Sequence, residues 1–224
     1  DLTADVENIV GVTYGEGYWW AVADQLQSDG TWNRITYKAV GTTPTPTVWE
    51  RANTNGASET LGTTPFTPDR ARFLEFAADT RMFPGAPRLY TILYANASNR
   101  CLLSARATTD GGNWDDGAAQ EMSSTSTPRG LILLRGPDAR TDVMASTNIG
   151  LYRGNTDGTN QRVEEIYRFT APGSAYTGIM ASCPDGNLFF IDGTEIKMLH
   201  WTDGSGASEI STGITPAVPI GAEG

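Results

Sequence analysis

Histidine and lysine are nearly missing from this 224-residue chain, and cysteine is scarce: His200 is the single histidine, Lys38 and Lys197 are the lysines, and Cys101 and Cys183 the cysteines. A hydrolytic triad needs a histidine base beside its nucleophile. His200 instead lies in the apolar segment EIKMLHW, the chain holds no G-x-S-x-G, and the residue reads as structural. One histidine and two separated cysteines do not make a zinc constellation, and no P-loop or dinucleotide fingerprint follows a strand. Each cysteine falls in an apparent strand, CLLSAR or GIMASC, where a buried free thiol is ordinary; a mutual disulfide is the alternative.

Charge of one sign is also thin. Sixteen basic residues face 26 acidic ones, a formal net charge of -10, so the broad basic footprint that nucleic acid or an anionic membrane surface requires is absent. No run approaches 18 apolar residues, so no helical membrane span is expected. The chain begins at Asp1, which suggests a processed product or a piece of a longer polypeptide.

What the chain does have is turn formers, with 25 glycines and 12 prolines among 39% hydrophobic residues, a mixture suited to short strands joined by many turns. Residues 129–158 and 177–204 read alike: strand, turn, strand, turn, strand, then Thr-Asp-Gly. That triplet recurs at Asp110, Asp157 and Asp203, at intervals of 157 - 110 = 47 and 203 - 157 = 46 residues. Fixed spacing of this size signals a repeat architecture. Residues 72–111 follow the same scheme, and IVGVTYG, YWWAVA, NRITYKAV and TVWERA form a looser first copy. A more polar segment follows each triplet, AAQEMSS, VEEIYRF or SEISTGI, as suits a solvated outer strand. VEEIYRF is the one stretch where a helical period competes.

The expectation is an all-β fold, one domain over 1–224, forming a β-propeller of about four four-stranded blades at 6–60, 70–126, 129–170 and 176–214. Four blades can close a ring, or the segment belongs to a larger propeller. A two-sheet sandwich also accommodates many short strands but does not require the 46 to 47 residue recurrence.

Candidate chemistry gathers at one turn. Asp110, Asp115 and Asp116, interleaved with glycines, are weak candidate oxygen ligands for calcium, since the spacing is not that of an EF-hand and a solvated turn is the favoured reading. Trp32 and Trp114 lie beside Asp-Gly turns and, with Asp115 and Asp116, are the candidate ligand-binding residues, since an exposed indole stacks on sugar rings and carboxylates bond their hydroxyls. Trp19, Trp20 and Trp49, inside apolar strands, read as core. No carboxylate pair stands in an apolar context that marks it as catalytic, so no catalytic residue is assigned, and a carbohydrate-active enzyme fragment is only the third reading. No cofactor is expected, calcium being only the weak candidate named above.

Three resemblances follow from these strings. Thr108-Thr109-Asp110-Gly111-Gly112-Asn113-Trp114 resembles the Asp-box turn of sialidase-like propellers, with its Trp one place early; in those families the box is a fold element. Pro184-Asp185-Gly186-Asn187-Leu188-Phe189 resembles tachylectin-type blades. Over the first 62 residues, Asp1-Leu2-Thr3, IVGVTYGEG, YWWAV, Asp29-Gly30, Ile35-Thr36-Tyr37, Trp49-Glu50-Arg51 and Gly56 form an ordered string similar to the tail-nozzle (tail tubular) proteins of short-tailed bacteriophages. That resemblance implies a non-enzymatic structural or adsorption domain of a virion, partnered by other tail proteins in a homo-oligomeric ring. The alternative is a secreted lectin that binds cell-surface glycans.

Overall fold

A computed structural model describes residues 8–26, 32–41, 45–52, 59–60, 73–95, 100–108, 120–123, 126–135, 140–184, 186–200 and 209–214. Among them there is no helix; the chain is all-β. The first sheet contains β1 (Asn8–Gly15), β2 (Tyr18–Leu26), β3 (Trp32–Ala39) and β4 (Trp49–Arg51) in that order, with β5 (Glu59–Thr60) also pairing with β3. The second runs β6 (Leu74–Ala77), β7 (Arg88–Ala95), β8 (Arg100–Ala107), β9 (Gln120–Ser123). The third runs β10 (Pro128–Arg135), β11 (Thr141–Thr147), β12 (Gly150–Thr156), β13 (Gln161–Arg168), and the fourth β14 (Met180–Ser182), β15 (Asn187–Asp192), β16 (Glu195–His200), β17 (Glu209–Ile214). Every pairing within these sheets is antiparallel between chain neighbours apart from the β3–β5 pair, so each sheet is a meander, and the four form a propeller-like array.

The polar strings that follow the Thr-Asp-Gly triplets supply β9, β13 and β17, the last strand of their sheets. VEEIYRF falls in β13, because its neighbours Gly154 to Gly150 on β12 offer a full ladder of partners and a strand edge tolerates its alternation of charged and apolar groups. The described triplet explains its own use. Thr156 and Asp157 close the β12–β13 turn, the Asp157 carboxylate accepting from the Asn160 amide at 3.1 Å, and Gly158 takes a φ of 100° that an L side chain adopts only under strain.

The sheets stack through their first strands: β1 packs on β6, β6 on β10, β10 on β14, and β9 meets β13 at the outside. Glycine sets the closest approach. A Cβ at Gly11 would sit 2.7 Å from that of Leu74, and one at Gly15 would overlap the Phe76 ring, so β6 lies directly on β1. A Cβ at Gly130 of β10 would likewise meet the Met180 methyl of β14 at 3.0 Å. One core joins the first three sheets around Trp20, Val22, Leu89, Ile92, Leu103, Val143 and Tyr152; a second joins the third and fourth around Leu134, Met144, Leu188, Phe190 and Leu199. Both cysteines are free thiols, and that of Cys101, buried in the first core, donates to the Ser126 carbonyl.

Candidate interaction surface

Strand alternation gives every sheet two faces, and on the first and fourth sheets the face turned from the packed neighbour is covered only in part. On the first sheet Gly11, Gly15, Trp20 and Val22 face the second sheet. The intervening positions point the other way. Ile9 is 51% exposed, Val12 49% and Tyr14 53%, beside half-buried Trp19, whose ring meets that of Tyr14 edge-on at 5.3 Å. Behind them Ala21, Ala23, Ile35 and Tyr37 form a small apolar floor with Trp49 against it. Consecutive Trp19 and Trp20 therefore part company: Trp20 is core, its indole N–H donating to the Gly15 carbonyl, whereas Trp19 and Trp49 are only half-buried.

The fourth sheet mirrors this. Leu188, Phe190 and Leu199 face the third sheet and are buried to 1% exposure or less. Their cross-strand alternates Phe189, Ile191, Ile196 and Met198 pair on the opposite face, where all four are only half-buried, and Ile179 beside them is 43% exposed. An apolar sheet face left in partial contact with water is the usual mark of an interaction surface.

An ionic cluster reinforces the apolar junction of the fourth sheet with the third. The Asp192 carboxylate, at the end of β15, accepts from the backbone amides of Thr170 and Ala171, the Thr170 hydroxyl, the Tyr167 hydroxyl at 2.8 Å and the Lys197 ammonium at 3.0 Å. Burial alone would push this carboxyl up, but the Thr170 amide, Lys197, the Ala171 amide and Tyr167 outweigh it and hold it well below the usual carboxylate range. Lys197 also donates to the Tyr167 oxygen; against the opposing effect of burial, Tyr167 and Asp192 raise its affinity for the proton. Burial, with Asp192 beside it, pushes the Tyr167 phenol up as well. A locked carboxylate and a locked ammonium exchange no proton near neutrality, so the cluster works as a clamp from β15 and β16 to the strand end of the third sheet. An analogous tie joins the second and third sheets, where the Arg81 guanidinium meets the buried Asp142 carboxylate at 3.0 Å beside the Thr80–Thr141 bridge.

One carboxyl is shifted the other way. Glu75, on β6 opposite Tyr90 of β7, is pushed up by burial, which the sequence pattern did not single out. Of the residues expected from sequence to bind ligand or calcium, Trp114, Asp110, Asp115 and Asp116 lie outside the described residues, and Trp32 is placed only as the first residue of β3, opposite Leu26. Among the described residues no cluster of metal-ligating side chains occurs. His200, exposed at the end of β16, has its Nδ1 hydrogen-bonded to the side chain of its cross-strand partner Asn187.

No protein-family model matches the chain, and no curated protein matches it. Among solved structures it is similar to a candidate exo-beta-1,3-galactanase from Bifidobacterium bifidum s17, at 11% identity and a TM-score of 0.42, over 88% of this chain and 67% of that one. A likeness that slight carries no argument about activity.

Proposed function

We propose that this chain is a non-enzymatic structural module that acts through protein interfaces, serving as a nozzle-like component of a phage tail. The observation that carries the proposal is the exposed apolar row Ile9, Val12 and Tyr14. It lies on β1, which is built from the same string, IVGVTYGEG, that resembles the tail-nozzle proteins. A catalytic propeller has no need of three large apolar side chains held in water on its first strand, whereas an assembling one does. The clamp at Asp192 supports the same reading, since its charged groups are spent on fixing sheets together.

Mass spectrometry of purified virions, or of tails released from them, tests the proposal. Recovery of peptides from this chain in stoichiometric amount with other tail proteins is the expected result. Absence from virions, together with specific retention on a glycan array, would overturn it in favour of a secreted lectin.

A further inference from the structure

Two aromatic pairs stand on opposite faces of the β1–β2 hairpin. Tyr18 and Trp20, two residues apart on β2, share the face turned to the second sheet. Lys38 of β3 serves that pair, its ammonium 3.6 Å from the centre of the Tyr18 ring and 5.3 Å from that of Trp20. Tyr14 and Trp19, cross-strand partners, share the other face, their ring centres 5.3 Å apart at an interplanar angle of 64°. Rings at that angle are the two walls of a corner, and it opens to water on the Tyr14 side. Among the described residues no cation lies over either of these rings.

The turn that joins the second pair carries a negative charge. Glu16 and Gly17 have φ of 54° and 79°, the two-residue turn in which Asn-Gly is favoured, and Glu16 is the single non-glycine residue of positive φ among the described residues. A glutamate is kept there against backbone strain that glycine would avoid. It is exposed, and its carboxylate meets no hydrogen-bond donor or cation among the described residues.

We propose that this corner binds a methylated ammonium group of the choline type, with Tyr14 and Trp19 against its methyls and Glu16 balancing its charge. Cation–π attraction of this kind already operates one residue away, between Lys38 and Tyr18. Two steeply inclined walls suit a compact cation, whereas a sugar ring stacks on a flat face. An anion is disfavoured by Glu16 and by the net charge of -10. A primary ammonium has three N–H groups to satisfy; the carbonyl at the turn, that of Gly15, already accepts from the Trp20 indole. A methylated ammonium has none. Ala21, Ala23, Ile35 and Tyr37, farther along the same face, are buried and take no part. The inference goes beyond the interface reading, and recovery of the chain from virions or its absence from them bears on that reading alone.

Titration of the nitrogen-15-labelled chain with choline should move the Trp19 indole resonance, identified by its loss in Trp19→Phe, with a dissociation constant of about 1 mM. The neutral isostere 3,3-dimethyl-1-butanol should bind at least about tenfold more weakly, and a lysine amide more weakly than choline. Tyr14→Leu should weaken choline binding about three- to tenfold, and Glu16→Gln about threefold with a difference that shrinks in salt. Both residues are exposed, so the melting temperature should not fall in either variant. Choline that leaves the Trp19 resonance unmoved, an isostere that binds as well as choline, a lysine amide that binds better, or choline binding that survives both variants each overturns the assignment.

Discussion

Strands β11 and β15 are the second strands of adjacent sheets, yet they live in different surroundings. On β11 residues 142–147 are all buried, polar Asp142, Ser146 and Thr147 included, because the third sheet is covered on both sides. On β15 burial alternates, with Leu188, Phe190 and Asp192 buried and Asn187, Phe189 and Ile191 only half so. The second sheet resembles the third: residues 89–92 of β7 are fully buried, both faces alike. An inner sheet must satisfy two neighbours and hides its polar groups in hydrogen bonds, as Ser146 does by donating to the Gly178 carbonyl at 2.5 Å. The fourth sheet buries one face fully and leaves the other apolar face half-buried, whereas the first buries both faces along β2 and exposes its far face only along β1.

The contrast is broken most severely by cutting the clamp that joins an inner sheet to an end sheet. Asp192→Ala strands Lys197 and the Thr170 and Ala171 amides, and should lower unfolding free energy by about 3 to 5 kcal/mol, measured in urea, with hydrogen exchange rising first in β15 and β16. Because the folded carboxyl titrates below the unfolded one, its stabilisation is complete above the unfolded value of about 3.9 and drains as pH falls below it. The wild-type chain should therefore lose stability in acid more steeply than the variant; parallel acid titrations would count against the clamp. Next comes a test of the two faces of one strand. Leu199→Ala, on the covered face, should cost about 3 kcal/mol, and Met198→Ala, on the uncovered face, less than about 1 kcal/mol. Equal losses would mean that both faces of the fourth sheet are covered. Gly15→Ala forces β1 and Phe76 apart, for a loss of about 1 to 3 kcal/mol in thermal or chemical unfolding.

The smallest effect comes from the desolvated carboxyl of an inner sheet. Glu75 titrates higher in the folded chain than in the unfolded one, so the folded state holds the extra proton and stability falls as pH rises through that window. Glu75→Gln removes this loss. Its melting temperature relative to wild type should rise between pH 4 and pH 8; a difference that stays flat with pH would show that the carboxyl is not desolvated.

Much of the array was legible in the chain. The spacing of Asp110, Asp157 and Asp203 and the polar strings after them marked the repeated units, and strands occupy those strings. What stayed hidden depends on which sheet lies beside which. Alternation in IVGVTYG announces a strand with two apolar faces, but only the packing of β1 on β6 shows that Gly11 and Gly15 are covered while Val12 and Tyr14 stay exposed. Trp19, Trp20 and Trp49 read alike from their apolar neighbours and separate only once the sheet has a near side and a far side. The clamp escaped for another reason. Asp192 and Lys197 are five residues apart across a tight turn, a spacing without a signature, and Tyr167 reaches them from the preceding sheet. The candidate ligands Trp114, Asp110, Asp115 and Asp116 were chosen from turn chemistry in a segment outside the described residues.

Because each sheet is a meander of strands consecutive in the chain, no sheet waits for distant sequence before it can form. Loop closure then stays short, and all-β chains owe their slow folding largely to long closures. The array can be completed from its amino end as the ribosome delivers it, each new first strand settling on the one before, with β6 and β14 received by glycines of β1 and β10. The order of synthesis and the order of stacking are the same order.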